Sequence, residues 1–226
     1  KLGPLFVGGA SGCLLQTVDR VYQTTDSCDP ARLAAMTLIT SEITAACGAE
    51  FPVGVQIMKN AISASIAVAK VTGAHFIRAS AWVGATASAF GVVRADPTTI
   101  NQYRKSIGAS DVAVIADIYS QHFRWLDGEV PLSRIAHWAV EAGADALCVG
   151  EARIDKTRAL TDVARQSCPE TPIILPGHTN HENAADFLRC SSGAFVGGCL
   201  KDPSSGRVDR DLVSRYIRSA KGSCEL

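Results

Sequence analysis

Seven strand-length apolar runs, each followed by a helix-like stretch, set the strongest limit on what this chain can fold into. The runs are Gly12–Val18, Pro52–Met58, Phe76–Trp82, Val112–Tyr119, Ala146–Gly150, Pro172–Pro176 and Gly193–Leu200. Each is nearly continuous in apolar residues, the signature of a parallel strand covered on both faces. The stretches behind them are Asp29–Cys47, Ala61–Thr72, Pro97–Ile107, Leu132–Ala142, Lys156–Ser167, Glu182–Cys190 and Asp209–Ala220. Asp29 before Pro30 reads as an N-cap with proline in the first turn. Asn101 and Lys105, Arg134 and Trp138, and Arg158 and Asp162 stand one helical turn apart. Gly-Ala pairs recur at Gly9, Gly73, Gly143 and Gly193. Each is read as a left-handed glycine that closes a helix just before the next strand.

Strict alternation of this kind predicts a (β/α)8 barrel over an open doubly wound sheet. No G-x-G-x-x-G fingerprint follows the first run, which lowers the dinucleotide-binding alternative. A barrel needs eight strands, and only seven are legible. The first βα unit is therefore expected to be missing, and residues 1–226 are expected to form one barrel domain. A barrel lacking a unit exposes strand edges and apolar surface, so self-association into a homo-oligomer is expected.

Composition narrows the function. Lys and Arg number 22, Asp and Glu 22, so no net charge favours phosphate backbones, and nucleic acid is not an expected partner. Apolar residues make up 47% and charged residues 19%, enough for a large core and too apolar for global disorder. No apolar run reaches the roughly 20 residues that span a bilayer, and no signal peptide is recognised at the start. Peripheral membrane association is compatible with this. The eight cysteines show no C-x-x-C spacing, so no zinc or redox motif is written in them. They read as small buried hydrophobes in a reducing cytoplasm. No cofactor is identified, and a divalent metal stays unassigned.

Chemistry in βα barrels sits at the C-terminal strand ends. Those ends carry Gln16, Thr17 and Asp19; Gln56, Lys59 and Asn60; Arg78, Ser80 and Trp82 before a Gly-Ala-rich loop; and Asp117, Tyr119, Gln121 and His122. The remaining ends carry Glu151 and Arg153; Gly177, His178 and Thr179; and Gly197, Gly198 and Lys201. So many polar residues on apolar strands point to a small-molecule site at a common mouth. Asp117 follows a buried strand and is the sharpest candidate. It reads as a general base or as a ligand for a hydroxyl or metal, against a bracing role in its loop. His122 is its candidate acid/base partner, against a solvated loop histidine. Lys59 reads as an anion holder or a Schiff-base lysine. Gly177, His178, Gly197, Gly198 and Lys201 are the candidate phosphate cradle.

The segments AAMTLITSEI, PVGVQIMKNAISASIAVAKVTGAHFIRAS, VAVIADIYSQH, EAGADALCVG and GAFVGGCLK resemble the BtpA/SgcQ family, in the same order, from about Gly9 onward. The resemblance implies a barrel related to phosphate-binding (β/α)8 enzymes and a family named for photosystem I biogenesis. It also implies a first βα unit that is not legible here, in agreement with the strand count. Lys59, Asn60, Arg78, Asp117, His122, Gly197 and Lys201 match the family pattern, and Gln56 stands where Asn is usual. Ala61, Ser80, Tyr119, Gln121, Gly150, Glu151 and the stretch PGHTNHEN depart from it. Two functions follow as expectations. One is an enzyme that isomerises, cleaves or hydrolyses a phosphorylated or anionic metabolite. The other is a non-catalytic assembly factor that keeps the barrel as a scaffold.

Overall fold

The computed structural model describes residues 8–18, 22–126 and 128–222. Seven parallel strands form one sheet in the order β1, β2, β3, β6, β7, β8, β9. They are β1 (Cys13–Gln16), β2 (Val53–Gln56), β3 (Phe76–Ala79), β6 (Ala113–Tyr119), β7 (Ala146–Val149), β8 (Ile173–Leu175) and β9 (Gly193–Ala194). Helices α1 (Pro30–Cys47), α2 (Ile62–Thr72), α3 (Pro97–Ser106), α4 (Leu132–Glu141), α5 (Ile154–Ser167), α6 (Ala184–Leu188) and α7 (Arg210–Lys221) alternate with them. This is the expected barrel type, with no eighth parallel strand among the described residues.

The sheet is curled. Phe195, just past β9, meets Phe76 of β3 at 6.5 Å between ring centroids. Four strand steps separate β3 from β9 in the sheet order. At ~4.8 Å per step a flat sheet would hold them nearly 20 Å apart. The contact therefore runs across an enclosed interior. Ala10, just ahead of β1, packs on the cluster of Leu200, Val213 and Tyr216, so α7 lies against the chain entering the opposite sheet edge.

Alternation sorts the strand residues between two sides. Val53, Val55, Ile77, Val114, Ala116, Leu147 and Val149 join the core between sheet and helices. Gly54, Gln56, Phe76, Arg78, Asp117 and Cys148 take the other side. Gly54 is required there, because a Cβ at that position would lie 2.1 Å from the Phe76 ring.

Local chemistry sets the element ends. Asp29 accepts from Arg32 N at 2.9 Å and starts α1 as expected. Asp96 does the same for α3 with Thr99 N. Gly73 closes α2 with φ 72°, and Gly143 follows α4 with φ 92°. Gly193 differs from the expected joint: it lies inside β9. The run expected through Leu200 is a strand only at Gly193–Ala194, and Gly198–Leu200 is a 3-10 turn. Successive glycines there lack side chains that would hold extended backbone in a ladder. The helix expected over Glu182–Cys190 shortens to α6, because Asn180 folds back on the amides of Glu182 and Asn183. The Gly-Ala-rich loop is a hairpin of β4 (Ala85–Ser88) and β5 (Gly91–Arg94). Asn101 donates to the Ala142 carbonyl at 2.8 Å and ties α3 to the end of α4.

Gly54→Ala is expected to lower stability by about 2 kcal/mol through overpacking. Combined with Phe76→Leu, the loss in urea unfolding should be smaller than the sum of the two single changes.

Candidate functional site

At the C-terminal end of the interior, Arg78 of β3 and Asp117 of β6 form a two-pronged ion pair. Arg78 Nε donates to Oδ1 at 3.0 Å, and its terminal nitrogen donates to Oδ2 at 3.2 Å. The pair is enclosed, with Arg78 4% exposed and Asp117 fully buried. Burial alone would lower the Arg78 pKa, but the neighbouring carboxylate outweighs it and keeps the guanidinium charged. The arginine also lies 4.8 Å from the centroid of the Phe195 ring.

Asp117 is held further by its own loop. Ser120 Oγ donates to Oδ2 at 2.9 Å, and the same oxygen accepts from the amides of His122 and Phe123. The pairing of β6 with β7 shifts register between Asp117 and Tyr119, a bulge that bends the strand as it reaches the site. The thiol of Cys148, opposite Asp117 in that pairing, lies against the ion pair. Burial first, then the carboxylate, pushes it well above the ordinary thiol range.

Lys59 and His122 share this electrostatic neighbourhood. Burial lowers the Lys59 pKa, opposed by the attraction of Asp117. Burial also lowers His122, assisted by Arg78 and Lys59 and opposed by Asp117. Gln56 completes the inner wall. It is buried, donates Nε2 to Ser80 Oγ at 3.0 Å, and leaves Oε1 without a partner among the described residues. Gln16 lies opposite Gln56 in the β1–β2 register.

The other predicted residues gather elsewhere on the strand ends. Glu151 sits between Arg124 at 3.7 Å and Lys156 at 3.6 Å. Arg124 covers the Tyr119 ring at 3.7 Å from its centroid. Arg153 pairs with Asp155 on the surface. The two glycine loops lie side by side: Cys199 Sγ reaches the Thr179 carbonyl at 3.8 Å, and Tyr216 donates to Thr179 Oγ1 at 2.8 Å. Cβ atoms built on Gly177, Gly197 and Gly198 would meet nothing within 4 Å. His178 adopts φ 67°, and its carbonyl accepts from Asn183. Lys201 is exposed and bridges to Val208. Asn60 reaches the hairpin, donating to the Arg94 carbonyl at 3.4 Å. Asp19 lies outside the described residues. No group of three or more His, Cys, Asp or Glu gathers to hold a metal among the described residues.

Ser120, Cys148, Phe195 and Arg124 were missed as contributors. Ser120 is the only one with a local signal: a small hydroxyl three residues beyond Asp117 is placed to brace its carboxylate.

Asp117→Asn is expected to destabilise the fold by about 3–5 kcal/mol, because it leaves a buried guanidinium unpaired. Arg78→Met with Asp117→Leu should recover much of that loss in denaturant unfolding. The lowered His122 pKa means the unfolded chain binds its proton more readily. Stability should therefore fall as pH drops below about 6.5, the ordinary histidine value, toward the lower folded value. A His122→Gln variant should show a shallower fall in melting temperature over that window.

The fold has many solved likenesses. Thiamine phosphate pyrophosphorylase from Pyrococcus furiosus superposes with a TM-score of 0.61 at 13% identity, over 98% of this chain and 88% of that one. N-(5'-phosphoribosyl)anthranilate isomerase from the same organism gives 0.59 at 18%, over 98% and 94%. The Photosystem I biogenesis protein BtpA of Synechocystis is 27% identical over 95% of this chain and 75% of its own length. Residues 5–222 match the BtpA family, and the chain belongs to that family.

Proposed function

We propose that the barrel binds a small phosphorylated or otherwise anionic metabolite at the C-terminal ends of its strands and isomerises, cleaves or hydrolyses it. The observation that carries this reading is the charge balance at the mouth. Lys59 and Arg78 share the single carboxylate of Asp117. Arg124 and Lys156 share that of Glu151. Two cations per carboxylate on an otherwise neutral chain make a local field that draws anions. The open space at Gly177, Gly197 and Gly198 supports a phosphate beside that field. Two fold neighbours, a thiamine phosphate pyrophosphorylase and an N-(5'-phosphoribosyl)anthranilate isomerase, are named for phosphorylated compounds, which agrees with such a ligand.

The arrangement divides the roles. Both Asp117 oxygens are engaged, so the carboxylate positions Arg78 more than it accepts protons. Proton transfer falls to Lys59 and His122, whose lowered pKa values enlarge the neutral fraction a general base needs. Gln16, Gln56 and Ser80 offer polar contacts to the body of the ligand, and His178 and Lys201 add charge or donors near its phosphate. The free thiols of Cys13, Cys47, Cys148, Cys168, Cys190 and Cys199 support a reducing, cytoplasmic setting.

The scaffold reading has its own observation. Helix α1 turns Leu38 (69% exposed) and Ile39 outward, and Val71 of α2 is 72% exposed. Such a face suits a protein partner or a second copy of the chain.

The test is calorimetric titration with inorganic phosphate and a panel of phosphorylated sugars. Gly198→Leu fills space that no protein atom occupies, so it should melt like the parent and bind at least about tenfold more weakly. Unchanged affinity in that variant, or no saturable binding by the parent, would remove the anion site and leave the outer face as the working surface.

A further inference from the structure

We infer that the outer face of the β4–β5 hairpin binds an α-amino acid with an apolar side chain. Two cavities border this face, one of about 270 Å³ and one of about 370 Å³, and Arg94 lines both. Ala85 pairs with Arg94 across the hairpin, so their side chains share one face. The first cavity adds Asn60, Asp26, Asp96 and Thr24. The second adds Trp125, Leu126 and Ala95. Lys59, Arg78, Asp117 and His122 line neither, so the inference does not rest on the mouth.

Two groups lack what a ligand would supply. Arg94 is exposed, and its guanidinium enters no ion pair or hydrogen bond among the described residues. Asn60 is 2% exposed, yet its Oδ1 has no partner there. Native structures rarely leave such a buried oxygen bare. Asp96 is engaged by Thr99 through both its amide and its side chain and adds only its charge. Asp26 is already committed to Ser63 through both oxygens and adds only its charge.

The apolar wall is preformed. A Cβ on Gly84 would lie 2.1 Å from the Trp125 ring, so glycine is what lets the indole lie against the hairpin. Trp138 supports the ring at 5.7 Å and Phe123 at 6.5 Å between centroids. Packing on two sides holds it in place at little entropic cost to a ligand.

The mixture of charges selects the ligand class. A plain anion attracted to Arg94 would be opposed by Asp26 and Asp96. A plain amine would be opposed by Arg94. A zwitterion meets both: its carboxylate pairs with Arg94, and its ammonium donates to Asn60 Oδ1 within the field of Asp26 and Asp96. The side chain then covers Trp125 and Leu126.

Calorimetry with leucine, phenylalanine and tryptophan tests this. At least one should bind with a Kd of about 1 mM or tighter. Phenethylamine, which lacks the carboxylate, and 3-phenylpropionate, which lacks the amine, should each bind at least about tenfold more weakly than phenylalanine. Glycine, which lacks the apolar side chain, should weaken similarly. Arg94→Gln should cost the amino acid about tenfold with an unchanged melting temperature. The inference is overturned if none of the three saturates the parent by about 10 mM, if Arg94→Gln binds them as the parent does, or if the amine and acid analogues match phenylalanine.

Discussion

The Arg78–Asp117 ion pair is the interaction on which the candidate site depends. Removing two charges from water is costly, and their mutual attraction offsets that cost only with good geometry and further hydrogen bonds. Each requirement is met by a different part of the fold. The adjacent strands β3 and β6 place the partners within reach. Ser120 supplies a further donor while its own oxygen gathers the amides of His122 and Phe123. Phe195 arrives from the far side of the curled sheet to cover the guanidinium. The shape of the His122 loop is thus tied through Ser120 to the buried Asp117 carboxylate.

The same pair explains why the neighbouring bases are tuned as they are. Asp117 favours the charged forms of Lys59 and His122, yet both are lowered, because burial outweighs one already shared carboxylate. An apolar floor lies deeper in the interior, where Gly54 makes room for Phe76 and Phe76 meets Phe195. Water excluded by that floor cannot screen the charges above it, so the field at the mouth is stronger than the same residues would make in solvent.

Architecture was legible where the physics is local and repeated. Apolar runs of strand length, the cap at Asp29 and closing glycines at Gly73 and Gly143 each follow from a few adjacent residues. The hairpin was hidden because ATAS carries small, weakly strand-forming residues, and its pairing with GVVR depends on Val93 and Thr86 finding a buried face. The short α6 was hidden because the bonds that delay its start, from the amides of Glu182 and Asn183 to the Asn180 side chain, form only in three dimensions. Within the site, Asp117 and Arg78 stood out as charges on apolar strands. Their pairing did not, since 39 residues separate them. Cys148 and Phe195 were invisible because each looks like an ordinary core residue until the sheet curls and brings it to the pair.

The mouth and the hairpin reach opposite solutions to the same problem of charge. At the mouth, each carboxylate is shared by two cations, so the surplus is positive and suits a ligand of uniform sign. On the hairpin's outer face, Arg94 stands apart from two carboxylates and leaves both signs available. The helix N-terminus that phosphate-binding barrels can exploit is weak here: α6 is only 5 residues long, and the Asn180 side chain already takes the amides of Glu182 and Asn183. Any anion near Gly177 and Gly197 must therefore be held by the glycine loops and the cationic mouth together. That dependence makes binding at the mouth more sensitive to salt than a site built on a full helix dipole and its amides.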